Sequence, residues 1–348
     1  MSEVKNNNTL EKVKVSEYTS KDFASDQDVR WCSGCGDYSV LAQVQRTLPN
    51  LGIKKEDLVF VAGIGCSSRF PYYMDTYGYH TIHGRANTIA SGIKVANPEL
   101  SVWVSTGDGD CLSIGGNHFL HTLRRNIDIN IILFNNQIYG LTKGQYSPTS
   151  FHGQVSKSSP LGTVEYPVNP VSLALGAEGT FIAKSIDRDP KHLMEMIKRT
   201  YLHKGTSFLE VLQNCNIFND GAFALYTDKE TKEDNVLYIE HNKPLVFGKN
   251  MSKGIKLDGW KAVVVDISNG KYSVDDLLVY DEKNKELAFL LSEFSENPAL
   301  PMPVGVFLDI ERATYEGELE EQIANAKKNS DDLSVDNLFK GTSSWEIK

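Results

Sequence analysis

The apolar positions of this chain fall into short runs separated by longer stretches of helical spacing. Leu58–Ala62, Val102–Ser105 and Ile129–Phe134 are too short for helices and rich in β-branched and aromatic side chains, which predicts buried strands. Helical spacing covers Ala86–Val95 and Cys111–Arg124 between them. Upstream, Val40, Leu41, Val44 and Leu48 mark a further helix, with Asp37 placed to cap it. Two later runs, Phe181–Ser185 and Phe208–Leu212, flank an amphipathic helix from Lys191 to His203. Strands alternating with helices of this length build βαβ units. The expected fold class is therefore α/β, a mostly parallel sheet with helices on both faces, binding ligands at the carboxyl ends of its strands.

Both ends of the chain break this pattern. Residues 1–28 carry few apolar side chains, which predicts an N-terminal arm over the surface or a partner. The charged run DKETKEDN at Asp228–Asn235 reads as a linker or exposed turn, followed by weakly patterned strand-like pieces and an acidic helix near Tyr315–Lys328. The expected organisation is an arm over 1–28, a main domain over 29–229 and a C-terminal extension over 230–348.

Composition narrows the function classes. With 348 residues, 41% apolar and 10% aromatic, the chain has ample material for a large core. A net charge of -9 with scattered Lys and Arg argues against a nucleic-acid partner, because phosphate contacts need clustered cations. No window approaches the roughly 20 apolar residues of a membrane span, so no membrane partner is expected. The polar N-terminus lacks the apolar core of a secretory signal, and the expected location is cytoplasmic. Cys32, Cys35, Cys66, Cys111 and Cys215 are an odd number without an export signal, which leaves metal ligation or buried thiols rather than a disulfide framework.

Gly107-Asp108-Gly109-Asp110 follows one predicted strand and opens a helix, a place where glycines let backbone N–H groups approach an anion. Alone, it is equally consistent with a plain tight turn. The next strand ends in Asn135-Asn136, and Asn136 lies 28 residues beyond Asp108, so the two strand ends are expected side by side. A hard magnesium ion wants oxygen ligands in octahedral array, and Asp108, Asn136 and the Ile138 carbonyl supply three. This succession of strand, GDG, helix, strand and NN resembles the motif of thiamine-diphosphate enzymes. The resemblance implies that Gly109, Asp110, Gly140 and Leu141 border the diphosphate, with Thr142 and Lys143 close by.

Cys32 and Cys35 form a C-x-x-C pair in WCSGCGD, a spacing that zinc, iron–sulfur and redox disulfides all use. Cys66, in GIGCSSRFPYY, follows the first predicted strand and Cys215 follows a late one. Strand ends of one parallel sheet converge, so these four thiols are expected together. Spacing leaves a structural zinc and a 4Fe-4S cluster both open. Cys111 reads as buried and inert.

The succession WCSGCG, GIGCSS, HGRA, GDGD and NNQIYGLTKGQ, from Trp31 to Cys215, closely resembles the β subunits of 2-oxoacid:ferredoxin oxidoreductases. In that family, cysteines matching Cys32, Cys35, Cys66 and Cys215 hold a 4Fe-4S cluster. The resemblance thus implies thiamine diphosphate, Mg2+ and a 4Fe-4S cluster, with Ile64, Gly65, Cys66 and Ser67 also facing the thiamine cofactor. The implied reaction is coenzyme A-dependent oxidative decarboxylation of a 2-oxoacid, with electrons passed through the cluster to ferredoxin. Arg69, three residues past Cys66, stands where the family places a cation near the substrate; a guanidinium there can grip a distal carboxylate, which favours 2-oxoglutarate over pyruvate. His83 and Arg85, in IHGRAN, lie where a strand meets a helix; His83 is the second catalytic candidate, with a structural helix-start role open for both. In this family the glutamate that activates the cofactor comes from a pyrimidine-binding domain in another subunit. An α subunit and ferredoxin are therefore the implied partners, and the chain alone is expected to be inactive. A non-redox thiamine decarboxylase has no use for the four thiols, and a non-catalytic electron-transfer subunit leaves the magnesium pattern unexplained.

Overall fold

The computed structural model describes residues 18–329, 334–341, 345 and 347. Its strands are β1 (Leu58–Ala62), β2 (Tyr77–His80), β3 (Ser101–Gly107), β4 (Ile129–Asn135), β5 (Phe181–Ile186), β6 (Ser207–Leu212), β7 (Val236–Ile239), β8 (Val246–Phe247), β9 (Lys253–Asp258), β10 (Lys261–Asp266) and β11 (Met302–Asp309). The first five helices are α1 (Asp37–Thr47), α2 (Ala86–Ala96), α3 (Gly116–Arg125), α4 (Pro170–Gly176) and α5 (Pro190–Leu202). Eight strands form one sheet in the order β2-β1-β3-β4-β6-β5-β11-β7. Every neighbouring pair in it is parallel except β11 with β5.

The sheet is buried on both faces, which is why its strands read as continuous apolar runs rather than alternating ones. Phe60, Trp103, Ile132, Phe134, Leu209 and Val211 point to one face, beneath α1, α5 and the 3-10 segment Ser67–Tyr73. Val61, Val104, Ile131, Leu133 and Phe208 point to the other, beneath α2, α3, α4 and the helix Lys285–Ser292. One buried ion pair interrupts this second layer. Lys184 and Glu210 are direct cross-strand partners on β5 and β6, with Nζ 3.1 Å from Oε2, and Asn135 Nδ2 donates to Glu210 Oε1 at 2.7 Å. Each such charge costs several kcal/mol to bury, so it persists only because the partners are supplied at the strand ends.

The expected strands and the parallel sheet are present, and four local expectations change. Asp37 is the first residue of α1 and not its cap; Gly36 holds the cap position, and the Asp37 carboxyl is buried beside the Cys35 thiol. The helix expected over Cys111–Arg124 is divided into a π-helical turn, Asp110–Ile114, and α3, and Asp110 at the start of that turn accepts from the Ile64 and Gly84 N–H groups. β2 and α4 had no signal: β2 is an exposed four-residue edge strand and α4 is two turns long. The segment beyond residue 230 contributes strands to two sheets. β7 and β11 complete the main sheet, while β8, β9 and β10 make a small antiparallel sheet beside it.

Of the expected arm, residues 1–17 lie outside the described residues. From residue 18 onward it is docked: Phe23 is fully buried, its carbonyl accepts from the Asp75 N–H at 3.0 Å, and the Ser25 N–H donates to the Tyr73 carbonyl at 3.2 Å. No helix among the described residues is long and apolar enough to cross a membrane.

A polar cluster fastens β11 to α5. Arg199 donates to both carboxylate oxygens of Glu282 at 3.0 Å each and to Asp309 Oδ2 at 2.7 Å, while His203 Nδ1 lies 2.9 Å from Asp309 Oδ1. Burial pushes the Asp309 carboxyl up, but the bonds from His203 and Arg199 outweigh it and hold the group below the usual carboxylate range. Arg199→Ala leaves these carboxylates facing one another. It is expected to cost about 2–3 kcal/mol, below the value for a fully buried pair because the arginine is partly hydrated, and a urea unfolding midpoint measures the loss.

Candidate functional site

The carboxyl ends of β1, β3 and β4, neighbours in the sheet, open into a cavity of about 490 Å3. β1 leads into Ile64, Gly65, Cys66 and Ser67; β3 into Asp108, Gly109 and Asp110; β4 into Asn136, Ile138, Gly140 and Leu141; all of these line it, as does His83. Asp37, Phe134, Tyr139, Thr142 and Gln145 line it as well. Arg69 does not. Its Nε donates to the Tyr73 hydroxyl at 2.9 Å within the same 3-10 segment, beyond Cys66.

Asp108 is almost fully buried, and burial pushes its carboxyl up to about 6 against the opposing hydrogen bonds from Ser147 and Thr149. Both hydroxyls donate to Oδ2, at 2.5 and 2.6 Å, so one carboxylate oxygen is anchored in the protein. Asn136 Nδ2 donates to Gln213 Oε1 at 2.8 Å, and its Oδ1 accepts from the Ile138 N–H at 3.3 Å, which leaves that oxygen a second lone pair. Between Asn136 and Ile138, Gln137 adopts φ +58, a left-handed conformation that a non-glycine residue holds only when its surroundings impose it. Carboxylate, amide and carbonyl oxygens are the donor set of a hard divalent cation, and a cation there would offset the cost of ionising a buried Asp108. Ser67 Oγ, buried on the opposite wall, has no partner among the described residues and is available to an anionic group.

Asp110 also lines the cavity, but its oxygens are committed to the protein. Oδ1 accepts from the Gly84 N–H at 2.7 Å and the Ile64 N–H at 3.1 Å, with His83 Nδ1 at 2.7 Å; Oδ2 accepts from the Thr106 hydroxyl at 2.7 Å. Facing a carboxylate oxygen, His83 Nδ1 is assigned the N–H of this contact. Gly109 is required by packing: a Cβ there would lie 2.2 Å from the Tyr139 ring, whose hydroxyl donates to the Gly109 carbonyl at 2.9 Å.

The cysteines gather beside this cavity. Cys66 Sγ and Cys215 Sγ each lie 3.6 Å from where a Cβ on Gly140 would be, so the glycine keeps the space between the sulfurs open. The turn of Cys32 and Cys35 is tied to the segment after β6 that carries Cys215: the Gly36 N–H donates to the Asn214 carbonyl at 3.1 Å, and Asn216 Nδ2 donates to the Ser33 carbonyl at 2.5 Å. Burial pushes the Cys66 thiol up to about 12, with Asp37, Cys215 and Cys32 adding to it and Arg69 opposing. Burial and Asp37 likewise push Cys35 upward. Thiols held this way ionise only when a positive centre compensates them. Among the described residues, no three His, Cys, Asp or Glu side chains close about a point as they would for one metal ion. Cys111 is buried and free, near Asn87 on the far side of the π-helical turn.

Most candidate residues named from motifs therefore line this cavity or gather beside it, whereas Arg69, Arg85 and Lys143 do not line it. Asp37, Phe134, Tyr139, Gln145 and the anchoring hydroxyls of Ser147 and Thr149 were not foreseen. Tyr139 and Gln145 lie inside the YGLTKGQ run and were within reach of motif reasoning, whereas Ser147 and Thr149 sit in an aperiodic loop that carries no signal.

Residues 63–211 match the family described as thiamine pyrophosphate enzyme, C-terminal TPP binding domain. The chain is 47% identical over 331 residues to the 2-oxoglutarate oxidoreductase subunit KorB of Mycobacterium tuberculosis, covering 94% of this chain and 88% of that protein. It is 43% identical over 230 residues to the 2-oxoacid:ferredoxin oxidoreductase subunit beta of Saccharolobus solfataricus, covering 65% and 75%. A solved structure of the 2-oxoglutarate:ferredoxin oxidoreductase from Magnetococcus marinus, with 2-oxoglutarate, coenzyme A and succinyl-CoA bound, superposes with a TM-score of 0.75 at 30% identity, covering 94% of this chain and 96% of that one. With its strand-end cavity and gathered thiols, the chain belongs to the family of β subunits of 2-oxoacid:ferredoxin oxidoreductases.

Proposed function

We propose that this chain binds thiamine diphosphate, Mg2+ and a 4Fe-4S cluster, and serves the coenzyme A-dependent oxidation of 2-oxoglutarate with ferredoxin as electron acceptor. The observation that carries this reading is the double position of Cys66. It lines the oxygen-donor cavity and belongs to the set of four thiols, so one residue borders both centres.

Asp108, Asn136 and the Ile138 carbonyl would hold the magnesium ion, and Ser67, Gly109, Gly140 and Leu141 would border the diphosphate. Cys32, Cys35, Cys66 and Cys215 would hold the cluster. Thiamine diphosphate, when bound, supplies the electron sink for decarboxylation. The residues of this chain bind and orient. The anchored Asp108 keeps its carboxylate in place as the cation arrives, and His83 Nε2 would accept or return a proton in the cavity. The apolar wall of Phe134 and Ile138 keeps water from the reacting atoms. Arg69, its Nε held by Tyr73, would present the two terminal nitrogens of its guanidinium to the distal carboxylate of 2-oxoglutarate, from outside the cavity wall.

The cavity mouth points to a partner. Ile64, Ile82, Ile114 and Leu141 are exposed around it, and among the described residues no glutamate lines the cavity. An α subunit carrying the pyrimidine-binding domain would cover this rim and supply the missing acid.

Two substitutions separate the centres. Asp108→Asn is expected to weaken Mg2+-dependent thiamine diphosphate binding, read by calorimetry, by roughly 100-fold, with iron content unchanged. Cys66→Ser is expected to lower iron and sulfide content while thiamine diphosphate still binds; wild-type protein reconstituted with zinc and holding no iron would overturn the redox reading. For specificity, Arg69→Leu is expected to reduce kcat/KM for 2-oxoglutarate relative to pyruvate by about 10- to 100-fold, the value of a charge-assisted hydrogen bond. An unchanged ratio removes Arg69 from substrate recognition, and a wild-type preference for pyruvate corrects the substrate.

A further inference from the structure

Gln213 directly follows β6 and is fully buried between the oxygen-donor cavity and the cysteine turn. Its side-chain amide is engaged on every side. Oε1 accepts from Asn136 Nδ2 at 2.8 Å, while Nε2 donates to Cys35 Sγ at 3.4 Å and to the Asn214 carbonyl at 2.5 Å. The orientation of the amide is set by these partners. Reversed, its oxygen would face a carbonyl and a sulfur, two acceptors, and its nitrogen would face the N–H2 of Asn136.

We infer that Gln213 is a positioning residue shared by the two centres, fixing the Asn136 oxygen towards the metal with its carbonyl and hydrogen-bonding the Cys35 sulfur with its N–H. This rests on the reading above, in which Asn136 is a magnesium ligand and Cys35 a cluster ligand. Each half follows from general chemistry. An amide ligand offers its oxygen only if its nitrogen is held elsewhere, and loss of such an outer partner typically weakens metal binding by about 10- to 100-fold. A hydrogen bond to a ligating sulfur stabilises the added electron of the reduced state, so it raises the reduction potential. Asn136 and Cys35 come from segments about 100 residues apart, and the position after β6 is the place in the sheet from which a single side chain reaches both. A leucine or methionine would fill the same volume without a desolvation cost, so the buried amide is accounted for by what it bonds.

The test uses the full-length chain purified anaerobically with its accompanying subunits, and neither readout is turnover. Mn2+, as a paramagnetic substitute for Mg2+, is titrated in the presence of thiamine diphosphate by electron paramagnetic resonance, and the cluster midpoint is found by redox titration of its reduced-state signal. Gln213→Met removes both functions of the amide. It is expected to raise the half-saturating Mn2+ concentration roughly tenfold or more and to shift the midpoint to more negative potential. Gln213→Glu keeps an oxygen for Asn136 and removes the N–H, so it is expected to shift the midpoint in the same direction while half-saturation stays within about twofold of wild type. That split is not produced by a general loosening of the fold, and iron content equal to wild type certifies that each variant is assembled. A Gln213→Met protein with an unchanged midpoint, or with unchanged Mn2+ half-saturation, overturns the bridge. A wild-type protein that holds no iron or binds no Mn2+ overturns instead the reading on which it rests.

Discussion

The cavity exists because a buried carboxylate must be satisfied. Asp110 is nearly inaccessible to water, and each of its oxygens is met by donors from other parts of the chain: the turn after β1, the loop carrying His83 and Gly84, and the last turn of β3. An unpaired buried charge costs far more than any of these bonds returns singly, so the three segments are held together or the local structure is lost. Their convergence creates the wall to which the glycine-rich turns and His83 belong. The same residue opens the π-helical turn that precedes the following helix, a distortion of the kind that recurs at functional sites.

Around that hub the polar groups are arranged in order of their chemistry. The oxygen donors follow β3 and β4, while Cys66 follows β1 and Cys215 follows β6, the two strands that flank that pair, and Cys66 also lines the cavity. Hard and soft donors are thereby supplied by different loops of one strand-end surface, oxygen from those after β3 and β4 and sulfur from those after β1 and β6. The Lys184–Glu210 pair beneath the sheet belongs to the same scheme, because Glu210 holds Asn135, whose Oδ1 lies 3.0 Å from the Thr149 hydroxyl that anchors Asp108. Charges that look like interruptions of a hydrophobic strand are the supports of the Asp108 carboxyl above it.

The C-terminal segment has a structural role that its weak pattern concealed. β11 runs antiparallel beside β5 and pairs with β7 on its other edge; β7 is laid down before the small antiparallel sheet and β11 after it, so the main sheet is completed only after that excursion. Met302–Asp309 is buried along almost its whole length, but it contains Pro303 and Gly305, which break the usual signature of a central strand. Gly305 has φ +133, and a Cβ there would lie 2.5 Å from the Ile239 carbonyl, so glycine is what lets β7 pair closely.

The sequence by itself determined the parallel core and the chemistry of the site. Strand runs at Leu58, Val102, Ile129, Phe181 and Phe208 are legible because a strand buried on both faces must be apolar throughout, and the motifs place their cysteines, aspartates and asparagines at strand ends that a parallel sheet brings together. Only the tertiary structure decided what each polar side chain does there. Asp37 reads as a helix cap and is instead a buried carboxylate beside the thiols; Asp110 reads as a cofactor residue and has its oxygens committed to the wall; Ser147, Thr149 and Gln213 carry no pattern at all, yet they orient Asp108 and Asn136. Hydrophobic periodicity reports which face of an element is dry. The partner of a buried polar group is set by three-dimensional proximity between distant segments, and that is not written in the local spacing of residues.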